Sequence, residues 1–376
     1  MVDIFISKQK LSDLANLAGI SEIGATTAEP LRYMRERLEL RISENRLTPF
    51  EEHNPALRIS PATLLDGCLS IITIAIPYSR PEIPVPQSEN LPRGHVARCA
   101  RSADYHLLVE LKAEQLVQAL KQECGTSFRH RILTDRSPLL ERELARISGL
   151  GLIGENCTLI NRRYGSYTAL GTILLGREVE TTGQRVESAG CQSCGKCLEA
   201  CPTGALTAPF IINPQRCLSY LSQATGVYPR ELRAAAGNRL YGCDRCQEVC
   251  PHNKGVESSP LPETAFSLFP AEPLLIPLLS MTQREYDLTI GLTSAGWRGK
   301  TTLQRNAVIA LGNSKSEAAV KPLARLLEND PRAVIRIHAA WALGRIDSPK
   351  ARFALEKSLK YDQDPEVKIE AKQALS

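Results

Sequence analysis

The sequence predicts three architectures in series: an α/β domain, a small cysteine-rich module and an all-helical repeat. Three observations carry that division. Short β-branched apolar runs bracket a helical pattern in the first part of the chain, eight of the twelve cysteines fall between Cys191 and Cys250, and the tail repeats itself at a fixed offset of 32 residues. The boundaries follow at residues 1–185, 186–255 and 297–376, with a Pro-rich connector at 256–296.

In the first segment, residues 69–76 (LSIITIAI) form an apolar run closed by Pro77, as a buried strand does, and residues 167–175 (YTALGTILL) read as another. Between them, Asp104 to Lys121 places apolar residues at helical spacing behind a capping Asp104. The Pro-rich stretch 77–92 reads as a loop, and so does the aperiodic VESSPLPETAFSLFPAEPLLIPLL after the cysteines. In the tail, NAVIALG, HAAWALG and EAKQALS align so that Ala307, Ala339 and Ala371 are equivalent, as are Leu311, Leu343 and Leu375. That period, with prolines near the breaks, resembles HEAT-like repeats, in which stacked helix pairs bury small residues between them.

Composition narrows the class. At 376 residues with 43 % hydrophobic and 23 % charged side chains, usage is ordinary for a globular chain of two or three domains. No run approaches the roughly 20 apolar residues of a membrane span, and MVDIFISKQK is no signal peptide. A soluble, cytoplasmic monomer is expected. A formal charge of +5 permits a polyanionic partner without requiring one.

A reducing cytosol disfavours disulfides, so the clustered cysteines read as ligands. Cys191, Cys194, Cys197 and Cys201 before Pro202 spell C-x2-C-x2-C-x3-C-P, the bacterial ferredoxin run, and Cys217, Cys243, Cys246 and Cys250 before Pro251 form an altered second copy. Three thiolates of one tight loop wrap one 4Fe-4S cubane while the fourth, directed away at its proline, ligates the other. The expected sets are therefore Cys191, Cys194, Cys197 and Cys250 for one cluster, and Cys201, Cys217, Cys243 and Cys246 for its neighbour. Two zinc sites are the alternative for C-x2-C pairs, and a proline after both runs speaks against them.

A ferredoxin alone needs no such domains before and behind it, so the clusters are expected to feed a catalytic centre. ILTDRSPLLERELARISGLGLIGENCTLINRRYGSY at 132–167 sets Asp135 after an apolar run and a Gly-rich turn before Asn156 and Cys157. Taken singly these are ordinary features: a surface carboxylate, a packing turn. Together with RCARSADYH, RCLSYL, YGCDRCQEVCPHN and RGKTTLQRNA, they make the chain, over nearly its whole length, resemble the epoxyqueuosine reductase family.

The resemblance implies a cobalamin-binding first domain with a core like that of reductive dehalogenases. The clusters reduce its cob(II)alamin toward Co(I), fed by an unidentified low-potential electron donor. The implied reaction converts epoxyqueuosine to queuosine at the wobble position, 34, of tRNAs with GUN anticodons (Asp, Asn, His, Tyr), the last step of queuosine biosynthesis. By motif, Asp135 is the proton donor and needs a raised pKa to serve, while Arg58, Cys99, Asp135 and Asn156 are cofactor contacts. Cys99 also reads as a small core filler and His106 as a packing residue. Glu155 and Cys157 depart from the family pattern, where Lys and Ser or Thr are usual, which leaves the role of position 155 open.

A tRNA substrate calls for basic side chains beside the site. Arg298, Lys300 and Arg305, with Trp297 as a stacking face, and Arg230, Arg233 and Arg239 are the candidates, against the plainer reading of solvated helix faces. Two other functions fit parts of the sequence: a dehalogenase-like cobalamin reductase of a small molecule, which leaves the repeats idle, and a non-enzymatic electron-transfer adaptor.

Overall fold

The computed structural model describes residues 5–78, 91–125, 127–183, 191, 193–260 and 268–376. The chain separates into two compact units, the first made of Met1–Pro81, Tyr105–Gln215 and Arg245–Leu261, the second of Glu82–Asp104, Arg216–Asp244 and Pro262–Ser376. Most of the expected 77–92 loop lies outside the described residues.

The first unit is built on an antiparallel sheet. Its strands are β1 (Glu22–Thr27), β2 (Ser70–Pro77), β3 (His130–Leu133) and, after the small hairpin of β4 (Leu152–Ile153) and β5 (Leu159–Ile160), β6 (Thr168–Leu175); the spatial order is β1-β2-β6-β3. β2 and β6 are the two apolar runs read from the sequence, paired from Ser70↔Leu175 to Pro77↔Thr168. Alternation sends their side chains to opposite faces. Ile72, Ile74 and Ile76 pack under helices α1 (Lys8–Leu17) and α2 (Tyr105–Cys124) with Leu11, Leu116 and Leu120. Ile71 and Leu174 face the other way, against Leu139 and Leu144, the latter on helix α3 (Glu141–Ile147). A Cβ on Gly171 would stand 2.4 Å from Val109, so the missing side chain lets α2 lie close on the sheet.

In the second unit the stretch expected to be a plain connector does more. Leu275–Ser280 forms a short helix, α4, because Leu275, Leu278 and Leu279 fall on one face and Pro277 sits in the first turn, where no intrahelical N–H is needed. Leu275 and Phe269 are buried with Val96, Leu240 and Leu303. The tail then forms α5 (Gly299–Ser314), α6 (Val320–Asn329), α7 (Ala333–Ile346), α8 (Pro349–Tyr361) and α9 (Pro365–Leu375). Ala307, Ala339 and Ala371 are fully buried, as are Leu311 and Leu343. The 32-residue offset reappears as a repeated contact: a Cβ on Gly312 would come within 2.7 Å of Ala342, and one on Gly344 within 2.6 Å of Ala374. Among the described residues no helix is long and apolar enough to cross a membrane.

Candidate functional site

Cys191, Cys194, Cys197, Cys201, Cys246 and Cys250 belong to the first unit, Cys217 and Cys243 to the second. Within the first, Cys191, Cys194, Cys197 and Cys250 line one small cavity, walled by Gly154, Glu155, Asn156 and Pro251. Ser193 and Gly195 both take positive φ (47° and 66°), which curls the loop so that its thiols face inward. The opposite wall is the β4–β5 turn. Gly154 N–H bonds the Thr158 carbonyl at 2.9 Å, and the Asn156 side-chain oxygen accepts the Thr158 hydroxyl at 2.7 Å. From that turn the backbone N–H of Glu155 is directed at the Cys191 sulfur at 3.5 Å, and its carboxylate accepts the Gly195 N–H at 3.4 Å.

The electrostatics of this cavity resist a free thiolate. Burial first, then the Glu155 charge, pushes the Cys197 thiol up to about 11. Cys250 is raised as well, first by burial and further by Cys191 and Cys194, against the pull of the His252 N–H. Cations must therefore displace protons to be held here. Thiols spread around a cavity, with an amide N–H on one sulfur, suit a multi-iron cubane.

Cys201 is in a different state. Burial works to raise its thiol, but the backbone N–H groups of Leu206 and Thr203 and the Thr203 hydroxyl outweigh it and pull it below the ordinary range; Ala205 N–H reaches the sulfur at 3.2 Å. The Tyr228 hydroxyl is held up first by burial and, against Arg305, by the charges of Cys243 and Cys217.

A second constellation in the first unit surrounds Asp135, just beyond β3. Asp135 takes φ 50°, a left-handed conformation that costs energy for a non-glycine residue. Three groups hold it there. The Tyr105 hydroxyl donates to its Oδ2, His106 Nε2 lies 3.7 Å from the same oxygen, and Glu141 Oε2 accepts the Asp135 backbone N–H at 3.2 Å. The Tyr105 and His106 rings are stacked with centroids 4.3 Å apart. The sequence led us to expect a buried, proton-holding carboxyl at 135. In the structure the Asp135 side chain is 49 % exposed, and the carboxyl that burial shifts is Glu141, pushed up to about 8 by desolvation and then by the Asp135 charge. Glu141 and Tyr105 were missed as site residues, because nothing in the helical ERELAR pattern says that its first glutamate folds back on the loop six residues earlier.

The remaining expected residues divide. Arg58 donates to Glu51 at 2.8 Å, with Arg41 on the other oxygen of that carboxylate at 3.0 Å, so the pair satisfies most of its charge. Cys99 is half-buried against the apolar core of the second unit, and its carbonyl accepts Ser294 Oγ at 3.0 Å, as a core filler would. Asn156 holds its own turn and donates to the Cys246 carbonyl at 3.5 Å.

Two of the basic residues offered for RNA are corrected by the structure. Arg233 and Arg305 are each only 1 % exposed and cannot meet a phosphate. Arg305 donates to the carbonyls of Leu221, Ala224 and Gly226 at 2.9, 2.6 and 3.0 Å, closing the end of the helix Leu218–Gln223. Arg233 pairs with Glu370 at 2.9 Å and donates to the Tyr228 carbonyl. Arg230 shares Glu370 but is 48 % exposed, Arg298 lies 4.5 Å from the exposed Trp297 ring, and Lys300 donates to the Met281 carbonyl at 3.2 Å.

Comparison with known proteins bears on all of this. A 4Fe-4S double cluster binding domain matches residues 190–253, HEAT repeats match 299–376, and the model described as Epoxyqueuosine reductase QueG, DUF1730, matches 58–136. An epoxyqueuosine reductase of Bacillus subtilis (strain 168) is 38 % identical over 375 residues, covering 100 % of this chain and 96 % of its own. The chain belongs to the epoxyqueuosine reductase family. Other epoxyqueuosine reductases agree: that of Bacillus anthracis is 36 % identical over 98 % of this chain and 96 % of its own. Among solved structures, an epoxyqueuosine reductase with a tRNA-Tyr epoxyqueuosine-modified stem loop superposes with a TM-score of 0.92 at 39 % identity over 98 % of this chain and 97 % of that one. The Streptococcus thermophilus epoxyqueuosine reductase gives 0.89 at 32 %, covering 98 % of both chains. Within that family, this chain carries a 4Fe-4S double cluster binding domain and HEAT repeats.

Proposed function

We propose that the chain reduces epoxyqueuosine to queuosine at the wobble position of tRNA, with two 4Fe-4S clusters relaying single electrons to a cobalamin bound in the first unit. The observation that supports it best is the Asp135 loop: a carboxylate held in a strained conformation by Tyr105 and Glu141, in a chain whose four-thiol cavity suits an electron relay. Removing an epoxide oxygen as water takes up two electrons and two protons and leaves an alkene. Clusters bound in the cysteine module would supply the electrons one at a time, drawn from a low-potential donor. Glu141, which holds its proton to about pH 8, passes it to Asp135, which delivers it to the departing oxygen.

The first unit offers polar atoms that suit a large amide-bearing cofactor. The Thr134 hydroxyl and Arg58 Nε are buried with no hydrogen-bond partner among the described residues, and their neighbours Leu133 and Ile59 pack in one apolar cluster. Arg58, Asp135 and Asn156, all of the first unit, are the residues we assign to holding it. When bound, cobalamin supplies a metal that accepts electrons singly and returns them as a pair. Arg298 stacked on Trp297, with Arg230 and Lys300, is assigned to the tRNA, whose anticodon class is GUN; such contacts make binding fall steeply with salt.

The test is direct: reconstituted protein, cobalamin and a strong reductant are incubated with epoxyqueuosine-containing tRNA, and the nucleosides are weighed by mass spectrometry. A product lighter by one oxygen is expected. Unchanged epoxyqueuosine, with clusters and cobalamin both bound, overturns the reading.

A further inference from the structure

Glu155 is one of few buried carboxylates in the first unit, only 3 % exposed, and it lies in the wall of the four-thiol cavity. It meets the cluster loop twice, through its N–H on the Cys191 sulfur at 3.5 Å and through its carboxylate on the Gly195 N–H at 3.4 Å. The first contact stabilises a thiolate ligand. The second anchors a fixed negative charge beside the iron site. Lys196 and His252 also line the cavity, so the sign of the local field depends on which charge is better shielded. Lys196 is exposed, and water together with salt damps its ammonium within a Debye length of about 8 Å. A carboxylate removed from water acts through an effective dielectric nearer ~20 than ~80, so at equal distance it counts roughly fourfold more. The negative charge wins.

A 4Fe-4S cluster bound by four thiolates is already anionic, and reduction adds one more electron to it. We infer that Glu155 tunes the reduction potential of the cluster held by Cys191, Cys194, Cys197 and Cys250, lowering it so that the reduced cluster is a stronger one-electron donor. Net charge and hydrogen bonds to sulfur are the levers a protein has on such a potential, and this one residue supplies both. The inference needs the cluster and not the substrate, so it stands or falls independently of the reaction proposed above.

The experiment is a dithionite titration with mediators on the anaerobic holoprotein, both clusters loaded, followed by electron paramagnetic resonance. In Glu155→Gln the midpoint of one cluster moves to more positive potential while the other stays put, and in Glu155→Lys it moves further in the same direction. The cluster that moves is the one whose signal is missing from a Cys250→Ala chain. Unchanged midpoints in both Glu155 variants, at full iron content, overturn the inference. So does loss of iron from both, which would make Glu155 a structural wall of the cavity instead of a tuning charge.

Discussion

Charged side chains are used in opposite ways in the two units. In the first, Asp135 is about half exposed, strained at φ 50°, and held by Tyr105 and Glu141. In the second, Arg233, Arg305, Glu370 and His338 are all buried, and their polar atoms are spent on one another and on helix ends. His338 shows the pattern at its simplest: Nδ1 donates to the Val334 carbonyl at 2.6 Å while Nε2 accepts the Tyr228 N–H at 3.1 Å. A charge that is strained and accessible is poised to react, and one that is buried and satisfied fixes a fold.

Substitutions can break that contrast. Asp135→Asn removes a proton donor while keeping shape and hydrogen-bonding reach, so turnover should fall by roughly 10²- to 10⁴-fold with the melting temperature unmoved. Intact turnover with a lowered melting temperature would place Asp135 among the structural charges. Glu370→Ala leaves the Arg233 guanidinium buried without its partner and should cost about 3–5 kcal/mol of stability in a denaturant titration, with turnover of the folded fraction retained. A loss under 1 kcal/mol would mean that Arg233 finds water, and the distinction between the units would weaken.

The two units should also answer pH with opposite signs. Unfolded, Glu141 gives up its proton near 4.5, whereas folded it keeps it to about 8. Across that window the native state binds more protons, so its stability declines as pH rises. His338 is held neutral by burial first, with Arg233 adding to the effect, far below its ordinary 6.5. The unfolded chain therefore takes up the extra proton below 6.5, and stability declines as pH falls. Unfolding free energies measured from pH 4.5 to 8 should lose the alkaline decline in Glu141→Gln and the acid decline in His338→Gln. A single shared slope lost in both variants would show that neither group acts locally. The smallest effect is expected at the start of α8, where Ser348 Oγ accepts the Ala351 N–H at 3.3 Å: Ser348→Ala should cost about 1 kcal/mol, read by the same titration.

What the sequence made legible follows from how local each signal is. The β-branched runs at 69–76 and 167–175 became β2 and β6 almost residue for residue, and the Asp104–Lys121 pattern became α2, because apolar periodicity is written within each element. The 32-residue repeat was visible for the same reason. The fates of Arg233 and Arg305 were not, since a charged residue on a helix looks solvated until the partners on both sides are known. Thr302–Gly312 of α5 is buried on every face, which no pattern of charges within that helix announces. The role of Glu155 was hidden likewise: its departure from the family pattern was visible, but only the β4–β5 turn delivers it to a sulfur thirty-six positions away. Leu275–Ser280 escaped because a six-residue helix interrupted by proline has too little periodicity to register.

The glycine-on-alanine seams of the tail have a consequence for how such a chain can change length. Gly312 against Ala342 and Gly344 against Ala374 are the same joint used twice, so an in-frame duplication or excision of one 32-residue copy would bring together surfaces that already fit. Variation in the number of copies is then the cheapest route by which relatives could lengthen or shorten this end of the molecule without redesigning a single interface.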